Sequence, residues 1–193
     1  MQSTSRAALL VALMSLAAAC SDSTDFVIEP DLVTDTVEVA APLPQNAALP
    51  TALDVTGDGA GGVAGGRFPE FQDDAGRWDF LVRVQGGQLV LVPAGHAGIN
   101  NSRAALTPPI EGETFASLRE IPGQSTFVSD SAIAMHEGSV YAARSRETST
   151  AFTVGCTQFA KFEPLEVDVA AGRLRIQIVT NQFCGDIRLV PLE

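Results

Sequence analysis

Residues 165–178, which read LEVDVAAGRLRIQI, decide the fold class. Aliphatic residues occupy every second position on both sides of the segment 170–172, and charged or polar residues stand between them. Side chains of a β-strand alternate between two faces, so this pattern predicts two strands joined by a tight turn. One face of the pair is aliphatic, and the other sets two acids against two arginines, which stabilises a strand pair by about 0.2–1 kcal/mol per cross-strand contact.

The same alternation occurs earlier in the chain. The apolar face of a predicted strand is formed by Trp78, Phe80, Val82 and Val84. Asp79 and Arg83 fall on the opposite face, and Gly86 and Gly87 supply the positive φ that a hairpin turn requires. A further strand is predicted over 139–146, after Gly138. Short strands, glycine turns and the lack of a long amphipathic run predict an all-β fold, a single antiparallel β-sandwich or barrel-like domain.

The N-terminus has the form of an export signal. Arg6 precedes an apolar run over residues 7–19 that only Ser15 interrupts. A helix that spans a bilayer needs about 20 apolar residues, so this run predicts a secretory signal instead. The run ends in LAAACS, residues 16–21, which resembles the lipobox of bacterial lipoproteins, with Ala17 where that family usually has Leu.

The resemblance implies that residues 1–19 are a signal peptide and that Cys20 becomes the lipid-bearing N-terminus. In that family an Asp after the cysteine favours the inner membrane. Ser21 therefore implies the outer membrane where the organism has one, and otherwise the exported side of the plasma membrane. The alternative is an ordinary cleaved signal in which Cys20 is incidental or a disulfide partner.

Residues 20–50 are predicted to form an acidic, proline-rich tether, and 51–193 the β-rich globular domain. The segment 21–40 has six acidic residues and no basic one, and three prolines follow within 41–50. Such composition favours an extended spacer, which for thirty residues reaches at most about 100 Å. The alternating valines of 32–39 leave open an edge strand of the domain.

The formal net charge of −11, with only 12 Lys and Arg, argues against nucleic acid as a partner, because phosphate backbones need a basic surface. If Cys20 carries the lipid, Cys156 and Cys184 remain as an even pair in an exported chain, which predicts a disulfide. Closing its loop would add roughly 3.5 kcal/mol by the chain-entropy argument. A metal site or a nucleophilic cysteine is the alternative.

Two patterns suggest ligands. Asp54, Thr56 and Asp58 have the spacing of the first half of a calcium loop, although Gly65 stands where the closing carboxylate is needed, so an ordinary glycine turn is the other interpretation. His96 and His136 are candidate haem or metal ligands, and the segments 140–146 and 159–162 resemble strands of bacterial haem-capturing surface lipoproteins. The alternative is that both are loop histidines.

The motifs G-x-S-x-G, S-x-x-K and H-E-x-x-H are not present, so no catalytic residue is assigned. We expect a non-catalytic cell-envelope binding or interaction module, without a cofactor, that uses loops on a rigid β scaffold to recognise a protein or small molecule. The segments 57–66 and 94–109 are the predicted loops. A calcium- or haem-binding surface protein and a hydrolase with a site assembled from distant residues are the alternatives.

Overall fold

The computed structural model describes residues 28–57, 63–149 and 155–191, which form ten β-strands. The strands are β1 (Leu32–Ala40), β2 (Ala52–Asp54), β3 (Gly65–Arg67), β4 (Phe80–Gln85), β5 (Gln88–Pro93), β6 (Ala105–Leu106), β7 (Ile133–Ala134), β8 (Tyr141–Arg144), β9 (Phe159–Asp168) and β10 (Arg173–Asn181). In these ranges the helical segments are two 3-10 turns, Pro44–Asn46 and Gln124–Thr126. No helix within the described ranges is long and apolar enough to cross a membrane.

The strands form two antiparallel sheets that pack face to face, so the predicted β-sandwich is confirmed. The first sheet has the order β1-β10-β9-β8-β6, and the second has the order β3-β2-β4-β5-β7. The core lies between them and includes the side chains of Tyr141 and Phe162, whose rings stack with centroids 5.2 Å apart. The Tyr141 hydroxyl donates a hydrogen bond to the carbonyl of Ala134 at 3.0 Å, so this buried ring joins β8 of the first sheet to β7 of the second.

The two predicted hairpins are confirmed. In β9–β10, Asp168 pairs with Arg173 and Glu166 with Arg175, so acids and arginines face each other across the turn as expected. The register shifts after Arg175, because Leu165 is an extra residue on β9 that forms a β-bulge. In β4–β5, Gly86 and Gly87 have φ values of 59° and 76°, the left-handed region that a two-residue hairpin turn needs.

The N-terminal boundary of the domain needs a correction. β1 pairs with β10 along its whole length, from Leu32 opposite Asn181 to Ala40 opposite Arg173. Val37 and Val39 are buried in the core, whereas Glu38 is exposed. Residues 32–40 are therefore an edge strand, which was the alternative left open, and the segment 20–50 is not a tether along its length. The pairing with β10 decides the structure of residues 32–40. An edge strand needs apolar residues only on the face that packs against the core, so an acid on the other face, such as Glu38, does not prevent it.

Candidate functional site

Asp79, directly before β4, connects three loops at one end of the sandwich. Its carboxylate accepts hydrogen bonds from the backbone N–H groups of Val55, at 2.7 Å, and Arg146, at 2.6 Å. Its carbonyl accepts another from the amide of Ala94 at 2.8 Å. Val55, Ala94 and Arg146 belong to the loops β2–β3, β5–β6 and β8–β9. One buried residue thus fixes the bases of three loops that are distant in sequence.

We call this part of the molecule the loop end. It comprises the described parts of the loops 55–64, 94–104 and 145–158, with the beginning of β1 and the segment 182–188 after β10. The Thr180 hydroxyl donates a hydrogen bond to the carbonyl of Val55 at 3.2 Å, and the amide of Gln182 donates one to the carbonyl of Asp31 at 2.7 Å. The N-terminal chain therefore enters the domain at the loop end.

Asp54, the last residue of β2, is the second buried carboxylate here. Its Oδ2 accepts hydrogen bonds from Nε and Nη2 of Arg67 at 3.0 and 2.9 Å, and its Oδ1 lies 2.7 Å from Nη1 of Arg146. The same Nη1 atom lies 3.2 Å from Oδ2 of Asp79. Thr56 completes the shell of Asp54 by donating its hydroxyl and backbone N–H to Oδ1 at 2.9 and 3.0 Å. Every oxygen of the two carboxylates has a partner.

Two carboxylates and two guanidiniums balance in formal charge, which allows them to be buried together. Burial raises the pKa of Asp79 from its ordinary value of 3.8 to about 6; Arg146 opposes this increase and Asp54 adds to it. Both aspartates are fully buried and their oxygens are engaged by the protein. The cluster of Asp54, Arg67, Asp79 and Arg146 is thus arranged to hold loops in place rather than to contact a ligand directly.

The structure places the described part of the first predicted loop and residues 94–104 of the second at the loop end. The segment 57–66 is described at Gly57 and from Val63 onwards, and it ends in β3. The segment 94–109 begins at the Ala94 amide that is bound to Asp79, and its later part contains β6. Both are attached to Asp79, which neither segment contains: its carbonyl binds Ala94, and its carboxylate binds Val55, two residues before Gly57.

Two of the three candidate calcium ligands lie in the buried cluster, because Asp54 binds arginines and Thr56 binds Asp54. The third, Asp58, lies outside the described residues. Among the described residues, no group of three or more His, Cys, Asp or Glu side chains is placed to hold a metal ion. In this arrangement Arg67 and Arg146 bind the two carboxylate oxygens of Asp54, which are the oxygens that a calcium ion would need as ligands.

The two histidines occupy different surface positions. His96 is exposed in the β5–β6 loop, at the loop end. His136 is exposed in the connection between β7 and β8, where its backbone N–H donates a hydrogen bond to the Tyr141 hydroxyl at 2.9 Å. Within the described part of the chain, neither imidazole forms a hydrogen bond or an ion pair. Haem binding by these residues stays a prediction.

The predicted disulfide between Cys156 and Cys184 is confirmed, with Cα atoms 5.1 Å apart. It joins the β8–β9 loop to the segment after β10, and the adjoining Gly185 amide donates a hydrogen bond to the Thr157 carbonyl at 2.9 Å. The covalent link therefore ties a further connection into the loop end. Cys20, the predicted lipid-attachment residue, lies outside the described residues.

Sequence reasoning did not identify Asp79 or Arg146 as site residues. Asp79 alternates with Trp78 and Phe80 as predicted, but its face is covered by the β8–β9 loop rather than by solvent. The available signal was an acid placed between large apolar residues at the start of a strand. Such an acid is buried only with a cationic partner, and that partner lies 67 residues further along the chain.

Comparison of the chain with known protein families, with curated proteins and with solved structures found no match.

Proposed function

We propose that this chain is a membrane-anchored cell-envelope lipoprotein whose β-sandwich is a non-catalytic binding module, with its binding surface at the loop end. The observation that carries the proposal is the attachment of three loops to Asp79. Fixed loop bases on a rigid sandwich lower the conformational entropy that is lost when the loops contact a partner.

The proposed anchoring is supported by the sequence at residues 16–21 and by the disulfide. The sequence there resembles a lipobox, in which Cys20 would carry the lipid. Disulfides form and persist in oxidising compartments, so the Cys156–Cys184 bond is in accord with export. The lipid anchor would place the module at the outer membrane where the organism has one.

Metabolic labelling with a palmitate analogue tests the anchor. We expect the wild-type protein to incorporate the label and to sediment with membranes, and Cys20→Ala to lose both properties. A matched control is Cys184→Ser, which removes another cysteine but leaves the proposed attachment residue. Equal labelling of wild type and Cys20→Ala would refute the anchor.

A photo-crosslinking amino acid placed in the folded protein tests the binding surface. His96 is an exposed position at the loop end, and Val84 is an exposed position beside the β4–β5 turn, at the opposite end of the sandwich. Irradiation of intact cells is expected to produce adducts from the His96 position and not from the Val84 position. Equal adducts from both positions, or adducts from Val84 alone, would contradict the assignment of the surface.

A further inference from the structure

Exposed apolar side chains are concentrated at the loop end. Eight large hydrophobic residues in the described ranges are 36–61% exposed. Those at the loop end are Ile28, Val63, Ile99, Phe183 and Ile187. Single exposed apolar residues are ordinary on a protein surface, but the concentration of five of the eight at one end is typical of a surface that contacts a partner or a membrane.

We propose that the loop end rests on the same lipid bilayer that holds Cys20, with these apolar side chains as the contact. The inference rests on the proposed function, because it requires the lipid on Cys20. It names the bilayer as a partner of the binding surface.

The covalent distance from Cys20 to the domain limits where the loop end can be. Because residues 32–40 belong to the sheet, twelve residue steps separate Cys20 from Leu32. Twelve residues span at most about 40 Å in any conformation, and an unconstrained chain of that length spans roughly 20 Å. Ile28 is only eight steps from Cys20, which bounds their separation at about 28 Å.

The length of the sandwich then favours one orientation. β1 has nine residues and is therefore about 30 Å long. If the opposite end faced the bilayer, Leu32 would be held about 30 Å away, which is three-quarters of the maximal reach. With the loop end towards the bilayer, the connection needs no extension. The short connection acts as a first membrane attachment, and weak apolar contacts then suffice as the second.

The charges at the loop end indicate a neutral lipid surface. Arg103 pairs with Glu147 and Arg188 with Asp186, and Glu29 and Asp31 add two negative charges where the chain enters. Without an excess of cations, anionic headgroups would not attract this surface. We therefore expect the contact to form on phosphatidylcholine and to be insensitive to salt.

Energy transfer from tryptophan tests the orientation in the full-length lipidated protein. The chain has one tryptophan, Trp78, which precedes Asp79 at the loop end. The protein is reconstituted in phosphatidylcholine vesicles that contain a dansyl-headgroup lipid. The matched control is Trp78→Phe with Val169→Trp, which moves the donor to the exposed β9–β10 turn at the opposite end.

We expect several-fold more efficient transfer from Trp78 than from the tryptophan at position 169, without change in high salt. Equal transfer from both, stronger transfer from position 169, or loss of the difference in high salt would overturn the proposal. A second pair of variants tests the contact residues. Phe183→Ser with Ile187→Ser is expected to decrease transfer from Trp78, whereas Phe71→Ser with Val84→Ser is not; equal effects would also overturn it.

Flotation of the vesicles separates the two proposals. Protein that floats with vesicles but shows no preferred orientation would overturn the docking inference and leave the lipid anchor intact. Protein that fails to float and carries no lipid would overturn both. Circular dichroism on each variant verifies that the β-sandwich is retained, and the two tryptophan positions can be compared even if the serine variants unfold.

Discussion

Replacement of Arg146 by Met is the sharpest test of the buried cluster. Nη1 of Arg146 lies 2.7 Å from Asp54 and 3.2 Å from Asp79, and both carboxylates are fully buried. Methionine keeps much of the side-chain volume but leaves the carboxylates with one cation fewer. Removal of one partner from a buried ion pair costs about 3–5 kcal/mol, because the remaining charge is uncompensated. We expect Arg146→Met to lower the free energy of unfolding by that amount at pH 8.

The pH dependence makes this prediction specific. The pKa of Asp79 is raised from 3.8 to about 6, so the folded state holds the proton more tightly than the unfolded chain. An acid of this kind destabilises the fold as pH rises from about 4 to about 6, by about 3 kcal/mol at 1.36 kcal/mol per pKa unit. Arg146 lowers this pKa, so its removal extends the loss of stability to higher pH.

Urea unfolding, followed by the fluorescence of the buried Trp78 between pH 4.5 and 8, measures the effect. The difference between wild type and Arg146→Met should be smallest near pH 4.5 and should grow above pH 6. Arg175→Met is the control: it removes the exposed partner of Glu166, so it should change the free energy of unfolding by less than about 1 kcal/mol and keep the wild-type pH profile. If Arg146→Met lowers the free energy of unfolding by less than about 1 kcal/mol at pH 8, or by an amount that does not change with pH, the reasoning is refuted.

Three further predictions concern stability and can be measured by thermal and urea unfolding. Reduction of the disulfide should cost about 2–5 kcal/mol, and unchanged unfolding in reductant would contradict its structural role. Gly66→Ala should cost about 1–3 kcal/mol because the new Cβ would overlap the ring of Pro50. Gly65→Ala is the milder control, since the atom nearest to its new Cβ is 3.9 Å away. Equal costs for the two variants would exclude the steric cause. Tyr141→Phe keeps the ring stack but removes two hydrogen bonds to the β7 segment, so it should cost about 1–3 kcal/mol, and no loss would mean that these bonds contribute little.

The elements that sequence predicted well are those with a local pattern. The alternation over residues 165–178 predicts both strands and the opposition of acids and arginines, because side-chain direction follows the strand geometry. The bulge at Leu165 was not predictable, since it depends on how β9 adjusts its register to β10. The edge strand β1 was only an alternative, because its acidic composition is also typical of a spacer.

The candidate site shows the same division. The sequence identified two loop segments, 57–66 and 94–109, and a cysteine pair as candidate features. The structure places the described part of the first, residues 94–104 of the second and the disulfide at the loop end. It did not identify Asp79 as the residue that fixes these loops. The three groups bound to Asp79 come from positions 55, 94 and 146, and such convergence leaves no spacing signal in the chain.

By itself, the sequence determined the all-β class and the main hairpins, because strand alternation and turn glycines are properties of neighbouring residues. It predicted the disulfide only once Cys20 was set aside as the lipid-attachment residue. Its N-terminal signal also motivates the proposed anchor. Only the tertiary structure decided that residues 32–40 belong to the sheet and that the chain enters beside the loops. It also decided that two aspartates are buried with two arginines. These features depend on burial and on contacts between distant segments, which exist only after the two sheets have packed.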